Sequence, residues 1–249
     1  MAWGRRFTDV TRLTGGPKNS GCLGWGESGG MGEGWGDFIA TSVRSTSTYS
    51  DYAMGAWASN CEDGICNYVY SLDTTVNPST YKTLDKPGYW GVHAIGEVWA
   101  EMLWVVQQCL IGTYGFSETL LPPTPNTDGS LPPNDLYRPQ MFNPLTGQAN
   151  RLVPKHGNTS LMQLVLDGMK LQPCSPGFFN VRDVIIQADE ILTGGENTCA
   201  LWEGFAERGL GVDATVVGST PGAEALGRMA PRSPLSADLL PPLLSLNPH

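Results

Sequence analysis

Histidine is scarce in this chain of 249 residues: there are three, at positions 93, 156 and 249. No two are four residues apart, so no helix can offer two imidazoles to one ion from a single face. Cations are also few. Lys and Arg number 15 against 24 Asp and Glu, a net charge of −9. That balance argues against nucleic acid and anionic membrane as partners. No run of 18 apolar residues occurs, which excludes a spanning helix of ordinary length. The opening MAWGRRFTDV carries basic residues but no apolar stretch, so no signal peptide is expected there. Gly24, Gly26 and Gly29 satisfy G-x-G-x-x-G, but no strand leads into them and Glu27 would repel a pyrophosphate. No internal repeat is present.

Gly (31) and Pro (19) are abundant and imply long irregular connections. The 41% hydrophobic content suffices for a core in one or two domains. Helical periodicity predicts helices near 32–44, 94–113, 158–171, 181–192 and 198–208, after a Gly-rich loop over 12–30. Asn158 or Thr159 is expected to cap the third and Asn180 the fourth. Gly194-Gly195 should end the fourth. Residues 118–154 are rich in proline and read as a long loop with room for a short helix near Leu136. The six cysteines permit three bridges without fixing them. Cys61 and Cys66 could close a small loop, and Cys109, in an apolar helix, reads as a buried thiol.

Glu33 and Asp37, in GGMGEGWGDFIAT, stand one helical turn apart on one face. Such a pair suits a metal site, one carboxylate binding the ion and the other orienting a neighbouring ligand. It equally suits acidic residues near a helix N-terminus. Glu97 and Glu101 repeat the spacing, but no Glu-x-x-His partner accompanies them, which favours structural roles. His93 near a helix start and His156 at a loop-to-helix junction would, by themselves, be capping or packing residues. The sequon at Asn158 opens an amphipathic helix and is expected to stay unmodified unless Asn158 is exposed.

Several blocks resemble the fungalysins, secreted fungal zinc metalloendopeptidases of the thermolysin-like group. They are RLTGGPKNSGCLGWGES (12–28), GGMGEGWGDFIAT (29–41), GVHAIGEVWAEMLWVV (91–106), PKHGNTSLMQLVLDGMKLQPCSP (154–176), RDVIIQADEILTGGENTC (182–199) and FAERGLG (205–211). The resemblance implies a mainly α fold, the helical C-terminal lobe of a thermolysin-like metallopeptidase with long irregular loops. It implies zinc as cofactor, Glu33 as a metal ligand, Asp37 as the carboxylate orienting a ligand imidazole, and His93 as a catalytic donor to the oxyanion. A Cys174–Cys199 bridge becomes plausible. Peptide or protein substrate, a pro-segment and zymogen state in the full-length relative, secretion and a monomeric state follow as expectations.

The family's H-E-x-x-H helix, two zinc ligands and a general base, should precede RLTGG. Trp3–Phe7 occupy that place without His or Glu. Cys66 stands where the family tends to carry an Arg that could bond a substrate carbonyl. The chain therefore reads as truncated: a divergent segment 1–11, a fungalysin-like helical lobe 12–213 and a Pro-rich tail 214–249 expected to be disordered. It is expected to be inactive as written, the alternative being a non-catalytic helical remnant that binds a peptide or pro-segment.

Overall fold

A computed structural model describes residues 20–216. The divergent segment 1–11 and nearly all of the tail 214–249 lie outside those residues. A 3-10 turn, Ser20–Leu23, leads into helix α1 (Gly26–Arg44). It is followed by α2 (Val92–Tyr114), α3 (Gly157–Leu171), α4 (Phe178–Thr193) and α5 (Thr198–Glu207). The described residues form no sheet; they hold three isolated antiparallel bridges, Tyr52–Tyr70, Tyr137–Pro154 and Phe142–Ala149. The fold is mainly α, as expected.

Helix α2 is the axis of the lobe. Val98, Trp99, Ala100, Met102, Leu103, Trp104, Val105 and Val106 are all buried. A helix apolar on every side needs cover on every side, and α1, α3 and α5 supply it while α4 packs on α3. Aromatic rings fill the join. Trp99 meets Trp35 edge-on at 5.3 Å and Phe178 at 4.9 Å.

Helix α1 begins at Gly26, not at 32 as its glycines suggest. Glycine at 26, 29, 30, 32, 34 and 36 costs helix propensity, on the order of 1 kcal/mol each. Packing decides otherwise. A Cβ on Gly30 would lie 2.1 Å from Ile95 Cγ2, and one on Gly34 would lie 2.5 Å from the Gly96 carbonyl oxygen. The bare backbone lets α1 and α2 approach closely. Glu27 pins the first turn, accepting from Tyr81 Oη at 2.7 Å and from the Phe178 backbone N–H at 3.0 Å.

Gly34→Ala should therefore destabilise the lobe by about 1–3 kcal/mol, because the added methyl meets backbone that cannot yield. Gly112→Ala, also within α2 but with nothing inside 4 Å, should stabilise by about 1 kcal/mol. Denaturant unfolding of both variants measures the two signs.

Three local expectations are corrected. No helix forms near Leu136; instead Lys155 N–H bonds the Leu136 carbonyl at 2.8 Å, and the chain bridges Tyr137 to Pro154. Neither Asn158 nor Thr159 is the N-cap of α3, which falls on His156. Asn158 is fully buried and exchanges hydrogen bonds with the Ser117 backbone at 2.9 and 2.8 Å, which closes the sequon to modification. Asn180 lies inside α4 and reaches back to the Gly177 N–H at 3.0 Å, so it serves the helix start from the third position.

The Cys174–Cys199 bridge is also overturned. Cys174 pairs with Cys22, and Cys199 is a free, exposed thiol. The helix between 174 and 199 has 16 residues. At about 1.5 Å rise each it separates its ends by roughly 24 Å, far beyond disulfide reach. Cys22 comes near because α1 returns its N-terminal turn to the α3–α4 link, where Ser175 N–H bonds the Cys22 carbonyl at 3.0 Å. Cys61 and Cys66 are free thiols, and Cys109 is a half-buried one, its pKa pushed up to about 11 by burial.

One buried ion pair holds the periphery to the axis. Arg208 and Glu101 meet at 2.6 Å with side chains 1% exposed. Arg208 also donates to the carbonyls of Asn77, Ser79 and Ser71, and Glu101 accepts from the Ser71 N–H at 3.2 Å.

Candidate functional site

The N-terminal turns of α2 lie against the middle of α1, because Gly96 meets Gly30 and Gly34. That contact brings three predicted residues together. Glu33 and Asp37 project from one face of α1, and His93 opens α2. His93 Nδ1 lies 3.2 Å from Glu33 Oε2, with side chains 75% and 41% exposed. The pair is open to solvent and to any ligand approaching from that side.

Asp37 sits deeper. Its carboxyl is raised to about 6, first by burial and then by the nearby Glu33 charge. Its hydrogen bond from Tyr70 Oη, at 3.4 Å, and the proximity of His93 pull the other way. A carboxyl in this condition has a charge without a strong partner among the described residues.

Segment 64–71 forms the wall beside Asp37. Glu97 fastens it to α2, accepting from the Asn67 backbone N–H at 2.9 Å and from Asn67 Nδ2 at 2.8 Å. Glu101 holds the same segment one turn further on, through Ser71. The second carboxylate pair is thus structural, and its two members clamp backbone rather than share a proton or a metal. Cys66 Sγ contacts Tyr70 Oη at 3.8 Å, and burial pushes the thiol up to about 12. It remains protonated and brings no cation to this wall.

His156 does not join the site. Its Nε2 lies 3.1 Å from Asp135 Oδ2, where it ties the 118–154 loop to the start of α3. Tyr70 and Asn67 carried no motif that could have announced them. Their roles follow from the bridge Tyr52–Tyr70 and the Glu97 clamp, both contacts between residues distant in sequence.

Among the described residues no group of three His, Cys, Asp or Glu is placed to hold a metal ion. Glu33 and His93 face each other, and Asp37 stands behind them. The arrangement offers one accessible carboxylate, one accessible imidazole and one buried carboxyl along a helix-helix seam.

Relatives place this seam in context. The extracellular metalloproteinase of Pyrenophora tritici-repentis is 48% identical over 206 residues. The extracellular metalloproteinase mep of Aspergillus niger and extracellular metalloproteinase 9 of Uncinocarpus reesii are each 47% identical over 206 residues. Each alignment covers 82% of this chain and 28% of the relative, so the chain spans little more than a quarter of the length of the curated relatives it matches. The family model described as Fungalysin metallopeptidase (M36) matches residues 9–214, which takes in α1 to α5 and the Glu33–His93 face. The chain belongs to the fungalysin metallopeptidase family.

Proposed function

We propose that this chain carries the helical half of the catalytic site of a secreted zinc metalloendopeptidase that acts as a monomer on peptide or protein substrates. The single observation behind the reading is the meeting of Glu33, Asp37 and His93 at the α1–α2 seam. Glu33 is the carboxylate donor of the half-site. Asp37 is the buried acceptor for an imidazole supplied from elsewhere. His93 is the donor to the oxyanion of the scissile carbonyl.

The family implies a metal, ordinarily zinc. A catalytic zinc takes about three protein ligands, and the described residues supply one carboxylate facing a histidine, not a set of three. They do not by themselves fit the ion, and no hydrolytic step is derived through it.

What the chain's own groups can do is set by proton inventory. If Nδ1–H of His93 donates to Glu33, a neutral ring keeps Nε2 as an acceptor only. Donation from Nε2 to an oxyanion at the same time requires the imidazolium.

The purified 249-residue chain should show no casein cleavage above blank when supplied with zinc. Zinc-dependent cleavage, abolished by a chelator and restored by the ion, would overturn the half-site reading. A second reading, a non-catalytic remnant that binds a peptide or pro-segment, is favoured by the continuous buried core, which needs no metal to close. It predicts a cooperative thermal melt and no stoichiometric zinc uptake in calorimetric titration.

A further inference from the structure

The turn that leads into α2 carries an exposed tryptophan beside the Glu33–His93 face. Trp90 is 60% exposed and stands three positions before His93, which lies in the first turn of α2. A single exposed apolar side chain is ordinary on a protein surface. The placement of this one is what carries weight. Three residues of chain span at most about 10 Å. A helical side chain also leans toward the N-terminus of its helix and covers the turn before its own Cα. The His93 imidazole therefore leans toward the segment that holds Trp90.

That turn is anchored, so the ring is presented on a fixed support. Lys86 N–H bonds the Thr83 carbonyl at 3.0 Å, and Tyr89 N–H bonds the Lys86 carbonyl at 3.2 Å. Tyr89, next to Trp90, packs on the core, and its hydroxyl donates to Glu97, the carboxylate that also holds Asn67. Pro87 fixes one more backbone angle. The space around the turn is open: a Cβ on Gly88 or Gly91 would meet nothing within 4 Å. A side chain presented in this way lowers the ordering cost of binding.

An extended peptide advances about 3.4 Å per residue. With one of its carbonyls at His93, a side chain one or two residues away falls within the span to Trp90. An indole face gains most from apolar and aromatic groups, through offset or edge contacts. Charge on this side is mixed. Asp85 and Lys86, of opposite sign, open the turn together, and Glu33 stands against the His93 ring. The local field selects no one sign of charge, and the apolar face decides.

We propose that Trp90 is a specificity-determining residue of the Glu33–His93 face. It contacts an aromatic or large aliphatic side chain of a peptide, within two residues of the carbonyl that His93 meets. This rests on the peptidase reading of that face and names the substrate class it takes.

The test uses the full 249-residue chain, with the tryptophan indole N–H and histidine ring signals followed by NMR. The probes are N-acetyl-phenylalanyl-glycinamide and its leucyl, alanyl, lysyl and glutamyl counterparts at millimolar concentration. The phenylalanyl and leucyl probes are expected to shift the Trp90 and His93 signals together and to bind about tenfold more tightly than the alanyl probe. Trp90→Ala should reduce that preference to about twofold or less, while Trp90→Phe keeps most of it. Trp57→Ala removes another exposed ring, the one beneath Arg44, and should leave the preference unchanged. Arg44 lies eleven positions beyond Glu33 on α1, roughly 16 Å along the axis at 1.5 Å per residue. No binding of any probe, equal binding of the phenylalanyl and alanyl probes, tighter binding of the lysyl or glutamyl probe, a preference that survives Trp90→Ala, or a Trp90 shift without one at His93 overturns the proposal. None of these probes needs zinc, so failure here stays separate from failure of the metal half-site, which shows in casein cleavage.

Discussion

Arg208→Ala should lower the unfolding free energy by about 3–5 kcal/mol, the cost of leaving one member of a buried ion pair alone. Glu101 would remain 1% exposed without its guanidinium partner. Burial already pushes the Glu101 carboxyl up to about 8 against the pull of Arg208, so in the variant it would take up a proton rather than persist as a charge. The carbonyls of Asn77, Ser79 and Ser71 would lose their donor as well. For a domain of this size the melting temperature should fall by on the order of 10 °C. The double variant Glu101→Leu with Arg208→Met separates the two contributions. Removing both charges should recover the ion-pair part of the loss but leave a deficit of about 1–3 kcal/mol from the orphaned carbonyls. Chemical denaturation of the three proteins checks this. A single variant within experimental error of wild type would show that the pair holds nothing.

Asp37→Asn is expected to act in the opposite direction. The folded-state value of about 6 lies above the ordinary 3.8. Between those values the folded chain binds more protons than the unfolded chain, so stability falls as pH rises from about 4 through 6. The displacement corresponds to roughly 3 kcal/mol once the carboxylate is fully ionised. Asparagine keeps an acceptor for Tyr70 Oη and carries no charge, so the variant should gain about 1–3 kcal/mol at neutral pH and nothing near pH 4. Unfolding curves for wild type and variant at both pH values measure this. Equal gains at the two pH values would assign the effect to packing. A charge kept at a cost to stability is the ordinary mark of a functional group, which is the role proposed for Asp37.

The five helices were legible because each carries its own periodicity. Leu161, Leu164 and Val165 repeat at helical spacing in α3, and Gly194, with φ of 83°, stops α4 as a left-handed cap should. The candidate residues Glu33, Asp37 and His93 were also legible, through the spacing of the two carboxylates and the block around His93, and the structure brings them together. The start of α1 was not. Local propensity reads its glycines as loop, and only the facing Ile95 and Gly96 make a bare helix the better state. The roles of Tyr70, Asn67 and Glu97 were equally hidden, since a clamp between residues 67 and 97 leaves no local signature.

Composition and motif alone established a mainly helical, acidic fungalysin chain, because periodicity and block order are properties of neighbours along the chain. Tertiary structure alone decided that Cys22 bridges Cys174, that Arg208 is sealed against Glu101, and that His93 lies against Glu33. Each of those is a meeting of residues tens of positions apart, fixed by how closely glycine lets α1 approach α2 and by which side chains the packed core then shuts away from water.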